Sequence, residues 1–96
     1  MEREKRNNLI GSYLERCRSF FYYKGYTGLG QEIGTITQDF LRFHSSNGDR
    51  EEIEKLARIC ERSVIEYFGE QARHRRLFDW EPQDSPGIRM VIDRNL

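Results

Sequence analysis

The sequence predicts an all-α fold: a small antiparallel three-helix bundle with an irregular or short-strand C-terminal tail. Three segments, 3–24, 28–44 and 49–76, repeat apolar residues at the i, i+3, i+4, i+7 spacing of one helix face. Turns containing glycine or serine separate these segments, and short connections make neighbouring helices antiparallel. Because 96 residues can enclose only one core, the three apolar faces are expected to pack together.

The segment 49–76 shows the clearest helical pattern. Asp49 can cap its first turn, and Glu52 can reach back to complete a capping box. Its apolar residues fall in one sector of the helix: Ile53, Leu56, Ala57, Cys60, Val64, Tyr67 and Phe68. A helix with one continuous apolar face needs partners along its length.

The other two predicted helices supply those partners. The apolar face of 3–24 comprises Ile10, Tyr13, Leu14, Cys17, Phe20 and Phe21. The inward face of 28–44, which Thr27 can cap, would comprise Leu29, Ile33, Ile36, Phe40 and Phe43. The predicted core contains Leu14, Cys17, Phe21, Ile33, Ile36, Phe40, Leu56, Cys60, Val64 and Phe68.

The residues after the third helix are expected to form a tail. Helical periodicity fades after Arg76, and Pro82 and Pro86 mark irregular chain. The segment 88–93, IRMVID, is interpreted as one short strand or an extended stretch, which would have to lie on the helices or on a partner. We therefore divide the chain into a helical bundle domain, 1–78, and a C-terminal tail, 79–96, packed on the bundle or on a partner.

Composition limits the classes of function. Lys plus Arg and Asp plus Glu number 16 each, so the chain has no net charge that would attract nucleic acid or an anionic membrane. No apolar run is long enough for a membrane span or a signal peptide, and the first residues, MEREKRNN, are densely charged. We expect a cytoplasmic protein with no membrane partner.

Neither the cysteines nor the glycines indicate a cofactor. Cys17 and Cys60 belong to no C-x-x-C pair, so we interpret them as small buried core residues, with a disulfide between the two helices as the alternative. Gly28, Gly30 and Gly34 follow a helix, whereas a phosphate-binding glycine loop follows a strand, so a tight helix-to-helix turn is favoured. We expect no cofactor and no metal.

His44 and His74 are the natural candidates for a general acid or base. Each also suits an ordinary role as a charge near a helix end. An enzyme would need a pocket that joins one of them to Asp39, Glu66 or a cysteine. We name no catalytic residue, and a small enzyme using His44 or His74 is the third of three hypotheses.

Arg73, Arg75 and Arg76 form the densest basic cluster. With Trp80 nearby, three guanidiniums could bind phosphates and an indole could stack on a base. Alternatively, the arginines complement the negative end of the helix dipole and pair with acids one turn earlier. A nucleic-acid-binding module is therefore the second hypothesis.

The aromatic run from Phe20 to Tyr23 motivates the first hypothesis. Four consecutive helical residues cannot all face one core, so Tyr22 and Tyr23 are expected to point partly outward. Exposed aromatic residues are good interface material, and a nearby charge can set specificity. We predict a small non-enzymatic protein–protein interaction module, an adaptor, inhibitor or assembly or regulatory subunit, whose partner is another protein or a second copy in a homodimer. Its predicted partner-binding residues are Arg18, Tyr22, Tyr23, Tyr26 and Trp80.

Overall fold

The computed structural model describes residues 2–24, 29–44, 49–71 and 86–96, and the side chains of 2–20, 33–44, 49–67 and 87–96. These residues form four helices: α1 (Arg3–Lys24), α2 (Leu29–His44), α3 (Arg50–Gln71) and α4 (Pro86–Asn95). The all-α prediction is confirmed, but the described chain has four helices where three were predicted. Residues 72–76, the predicted end of the third helix, lie outside the described part.

The α1–α2 interface contains a buried polar contact surrounded by apolar side chains. Thr37 donates its hydroxyl proton to the Ile33 carbonyl at 2.9 Å, so the Tyr13 hydroxyl, 2.9 Å from Thr37 Oγ1, donates to Thr37. The Tyr13 ring meets Phe40 edge-on, with 5.4 Å between ring centroids. Burial, and to a lesser degree Cys17, raises the pKa of the Tyr13 hydroxyl. Because both hydroxyls are bonded inside the protein, two polar groups are accommodated in the core.

The buried Thr37 explains why one aromatic prediction is wrong. Phe43 was expected on the inward face of α2, yet 70% of it is exposed, against 1% of Phe40. Ile33, Ile36, Thr37 and Phe40 are all buried and define the inward face. Phe43, in the last turn of α2, lies roughly 70° from the centre of that face at 100° per residue. A pattern that counts only apolar residues omits Thr37 and so rotates the predicted face toward Phe43.

Most of the predicted core is confirmed. The described members that are buried are Leu14, Cys17, Ile33, Ile36, Phe40, Leu56, Cys60 and Val64, whereas the side chains of Phe21 and Phe68 lie outside the described residues. The core also includes Leu9, Ile10, Tyr13, Ile53, Ala57, Ile88 and Ile92. Each large aliphatic side chain buried in this way contributes about 1.5–3 kcal/mol of hydrophobic stabilisation.

Helix α4 corrects the prediction of a short strand at 88–93. Pro86 opens the helix, where its missing N–H costs nothing. Ile88 and Ile92 are four residues apart and fully buried, whereas Met90 between them is exposed. A strand would place 88, 90 and 92 on the same side, so the observed burial follows the helical period. The apolar run in IRMVID was too short to distinguish the two periods from sequence.

Helix α4 packs on α3 and touches the start of α1. Arg94 Nη2 donates to Glu66 Oε1 at 2.7 Å, and Asn95 Nδ2 donates to Ser63 Oγ at 2.9 Å. At the other end of α4, a Cβ on Gly87 would lie 2.8 Å from Cε2 of Tyr67, so glycine permits the close approach there. By contrast, a Cβ on Gly34 would meet no atom within 4 Å, which places no close helix contact at that glycine.

The first residues of α1 and α3 lie at the same end of the bundle. The Lys5 ammonium donates to the Asp49 carboxylate, which raises the pKa of Lys5 and lowers that of Asp49. The Asp49 carbonyl accepts the Ile53 N–H at 2.9 Å, the first hydrogen bond of α3. Since Ser12 in α1 meets His44 at the end of α2, α1 and α3 run in one direction and α2 in the other.

Candidate functional site

The structure describes only part of the predicted partner-binding set. Arg18 is exposed on α1 and lies 3.7 Å from Glu15 in an ion pair. Tyr22 and Tyr23 belong to α1, but their side chains are not among those described. Outside the described residues lie Tyr26, Arg73, His74, Arg75, Arg76 and Trp80. The nucleic-acid hypothesis, which depends on the three arginines, stays a prediction.

A groove of about 560 Å³ runs between α1 and α2 beside Arg18. It is lined by Ser12, Glu15, Arg16, Ser19, Phe20, Ile36 and Asp39. The α1 members recur three or four residues apart, so they form one face of that helix. Phe20 is half-buried against the core and Ile36 is buried beneath it, which gives the groove an apolar floor.

The exposed ring of Phe43 stands next to this groove. The Arg16 guanidinium lies 4.8 Å from the centroid of the Phe43 ring, at cation–π distance. The His44 ring lies 5.0 Å from that of Phe43 and 4.6 Å from that of Phe40. These contacts link the exposed Phe43 to the core through His44. We call the groove together with Phe43 the α1–α2 face.

His44 is held by its neighbours in an uncharged form near neutral pH. Burial, followed by the charge of Arg16, lowers the pKa of His44 from its ordinary 6.5. Its Nε2 lies 3.2 Å from Ser12 Oγ. A serine next to a neutral histidine could exchange a proton with it, but catalysis further requires an oriented base and donors for a developing oxyanion.

Three of the groups named in the enzyme hypothesis, His44, Asp39 and Glu66, are among the described residues. Asp39 lines the α1–α2 groove, whereas His44 lines a different hollow of about 310 Å³ beside the start of α1. Glu66 is bonded to Arg94 of α4. His74, the other histidine of this hypothesis, lies outside the described residues, so the enzyme hypothesis stays a prediction.

The two cysteines are free thiols in the core. Burial raises the pKa of Cys60 to about 12, an effect that Arg89 partly offsets. Burial also raises the pKa of Cys17 well above its ordinary value, with Cys60 as a second cause. Both thiols are thus protonated and shielded in the folded protein, which confirms their interpretation as core residues and not as a disulfide.

Among the residues that the structure describes, no group of three or more His, Cys, Asp or Glu side chains converges in a way that could hold a metal ion. None of the helices, over the same residues, combines the length and the apolarity needed to cross a bilayer.

Sequence reasoning did not name Phe43, Arg16 or Phe20 as candidate site residues. Phe20 and Phe43 were both expected on inward faces; Phe20 does pack partly buried against the core, and Phe43 does not. The signal that identifies Phe43 is Thr37, because a threonine one turn after Ile33 can bury its hydroxyl against the Ile33 carbonyl and so turn the helix. Nothing in the sequence singled out Arg16, because its contact with Phe43 could be expected only if Phe43 was known to be exposed.

Comparison of the chain with protein-family models, with curated protein sequences and with solved structures gives no match. Its function has therefore to be inferred from its own residues.

Proposed function

We propose that this protein is a small non-enzymatic protein–protein interaction module, an adaptor, inhibitor or assembly or regulatory subunit, that binds its partner through the α1–α2 face. The observation that supports this best is Phe43: 70% of it is exposed, at the edge of an apolar-floored groove of about 560 Å³. An exposed aromatic ring beside a concave surface is a typical anchor of a protein interface.

The surroundings of Phe43 fit this role. Arg16 stacks on its ring at 4.8 Å, and Arg and aromatic residues are enriched among the residues that dominate binding energy. Glu15 and Asp39 lie on the same groove, so charges of both signs surround the apolar floor. Apolar surface at the centre with charged groups around it is the usual anatomy of a specific interface.

The tyrosines predicted from sequence extend the same stretch of α1. Tyr23 follows Ser19 by one helical turn, and Tyr22 follows Arg18 in the same way. Arg18 is itself joined to Glu15 of the groove. We therefore retain Arg18, Tyr22, Tyr23, Tyr26 and Trp80 as proposed partner-binding residues, and we add Phe43 and Arg16.

The proposed partner is another protein, which includes a second copy of this chain. A homodimer through the α1–α2 face would bury two Phe43 rings against two grooves, since a two-fold interface uses the same patch twice. We place the activity in the cytoplasm, where a reducing environment agrees with two free, unpaired cysteines.

Site-specific photo-crosslinking tests the proposal. The photoreactive residue p-benzoyl-phenylalanine replaces Phe43 in one variant and Met90 in another, because both native side chains are 70% exposed and they lie on different helices. The full chain is irradiated in extract of the cells that produce it and, separately, in pure form. We expect one discrete adduct from position 43, either with another protein or with a second copy, and none from position 90.

A second substitution tells an interface from accidental capture. Arg16→Glu removes the cation that stacks on Phe43 and reverses the charge at the edge of the groove, so it should abolish the adduct from position 43. Absence of any adduct from position 43, or equal adducts from positions 43 and 90, would count against the proposal. An adduct that persists in Arg16→Glu would show that the groove takes no part in binding.

A further inference from the structure

A second concave surface lies on the other flank of α2, between α2 and α3. This α2–α3 cleft has a volume of about 470 Å³ and is lined by Gln38, Leu41, Arg42, Arg50, Glu54 and Arg58. Its three α3 residues are spaced four apart, and its α2 residues are spaced three and four apart, so one face of each helix forms each wall. The walls are polar, in contrast to the α1–α2 groove.

Three guanidiniums converge on this cleft against one carboxylate. Arg42, Arg50 and Arg58 set against Glu54 leave a formal charge of +2 on its lining, although the whole chain is neutral. The one acid is already engaged, because Glu54 lies 3.9 Å from Arg58. The cleft is therefore a local positive site on a protein with no net charge.

Two of the three guanidiniums have no carboxylate partner within the described residues. Arg58 is bonded to Glu61 at 3.0 Å as well as paired with Glu54, whereas Arg42 and Arg50 form no ion pair there. Glu51, the acid next to Arg50, does not line the cleft but an adjoining hollow on α3, which shares Glu54 and Arg58 with it. Arg42 and Arg50 thus present ten N–H donors in total, five each, to the cleft and to solvent.

The position of Arg50 is unfavourable for the isolated helix. It is the first residue of α3, where the helix dipole favours negative charge, and two acids follow it in the same turn. Arg42, by contrast, is in the last turn of α2, where a cation is favoured. An anion in the cleft would complement the charges of Arg42 and Arg50 together.

We propose that the α2–α3 cleft is a binding site for an oxyanion of the phosphate class, either free phosphate or the phosphate group of a monoester. Arg42 and Arg50 donate hydrogen bonds to the anion from opposite walls, and Gln38 adds a neutral donor. Arg58 stays paired with Glu54 and Glu61 and contributes positive charge nearby. Planar guanidiniums suit this ligand because each can donate two parallel hydrogen bonds to it. The cleft is large enough to admit the anion with part of its water shell.

This site is independent of the α1–α2 face. The two surfaces share no lining residue, and they lie on opposite flanks of α2. Loss of anion binding would therefore leave the proposed protein interface intact, and the reverse also holds.

Titration of the full chain with inorganic phosphate, followed by amide and arginine side-chain NMR signals, tests the proposal. Ionic strength is held constant with sodium chloride, so that screening alone moves no signal. We expect saturable shifts at Arg42, Arg50 and the first turn of α3. Arg42→Gln and Arg50→Gln should each weaken binding roughly tenfold, since each removes a charged donor to the anion.

Arg62→Gln is the matched control. Arg62 is an exposed arginine of the same helix, one turn beyond Arg58, that lines the adjoining hollow and not the cleft, so its loss should leave phosphate binding unchanged. A parallel titration with O-phosphoserine identifies the source: tighter binding than inorganic phosphate assigns the site to a monoester, and equal binding assigns it to the free ion. Shifts that do not saturate, or that Arg62→Gln reduces as much as Arg42→Gln does, would overturn the site.

Discussion

Phe40 and Phe43 are the same residue type, three positions apart on one helix, and the fold treats them in opposite ways. Phe40 is 1% exposed and packs edge-on against Tyr13. Phe43 is 70% exposed and is contacted from the side by Arg16 and His44. Hydrophobicity therefore does not decide which ring is buried. The decision comes from which sector of α2 faces the other helices.

The difference also separates stability from binding. Burying a phenylalanine side chain contributes about 1.5–3 kcal/mol, and Phe40 has made this contribution within the chain. Phe43 keeps most of its apolar surface in contact with water, so burying it against a partner would contribute a similar free energy to binding. The inward ring belongs to the fold, and the outward ring belongs to the proposed interface.

The largest expected effect is the loss of stability in Phe40→Ala. A cavity in the α1–α2 interface should lower the free energy of unfolding by about 3–5 kcal/mol, whereas Phe43→Ala should change it by less than about 0.5 kcal/mol. Urea denaturation of both variants measures the contrast. If Phe40→Ala fails to fold, Phe40→Leu can be measured instead, and it should lower the free energy of unfolding by about 1–2 kcal/mol. Equal losses at 40 and 43 would abolish the distinction between the two rings.

Helix α4 repeats the comparison with aliphatic residues and gives the next largest effect. Ile92 is fully buried and Met90 is 70% exposed, although they are only two residues apart. Ile92→Ala should lower the free energy of unfolding by about 2–4 kcal/mol, and Met90→Ala should change it by less than about 0.5 kcal/mol. If neither substitution changed the unfolding midpoint, α4 would be an appended tail and not part of the core.

These pairs show what the sequence could predict. The helical spacing of Ile53, Leu56, Cys60 and Val64 is long and regular, so the existence and the inward face of α3 followed from it. The eight described members of the predicted core are buried for the same reason. A period repeated over several turns averages out the ambiguity of any single residue.

Shorter signals failed where a tertiary contact decides the outcome. The run 88–93 contains too few residues to distinguish a helix from a strand, and its helical form depends on the place that α3 offers to Ile88 and Ile92. Phe43 was misplaced because the burial of Thr37 depends on a hydroxyl from another helix, Tyr13. The α1–α2 face could not be predicted, because which residues of α1 and α2 remain exposed depends on tertiary contacts such as that between Tyr13 and Thr37.

The buried hydroxyl pair that orients α2 gives a moderate effect. Tyr13→Phe removes the donor to Thr37 and should cost about 1 kcal/mol. Thr37→Val leaves the Tyr13 hydroxyl buried without its acceptor and should cost more, about 1–3 kcal/mol. The double variant should cost less than the sum of the two, because it lacks the Tyr13 hydroxyl that Thr37→Val alone leaves without an acceptor. Additive losses in urea denaturation would mean that the pair does not hold the two helices in register.

The smallest effect concerns His44, which contacts both rings. Its pKa lies below 6.5 in the folded protein, so the unfolded chain takes up a proton at a higher pH than the folded chain does. The stability associated with His44 is therefore complete above pH 6.5 and declines as the pH falls through 6.5 toward the folded pKa. Urea midpoints measured at pH 7.5 and pH 5 should fall more for the native chain than for His44→Gln.

The same histidine reports on the exposed ring. Burial is the larger cause of the lowered pKa and Arg16 the smaller, and Phe43 supplies part of the cover over the imidazole. Phe43→Ala should therefore raise the pKa of His44 toward 6.5, and Arg16→Gln should raise it by less; NMR titration of the imidazole protons measures both. If the pKa of His44 stayed unchanged in Phe43→Ala, the imidazole would be shielded from water by Phe40 alone. The exposed Phe43 ring would then have no effect on the buried α1–α2 interface.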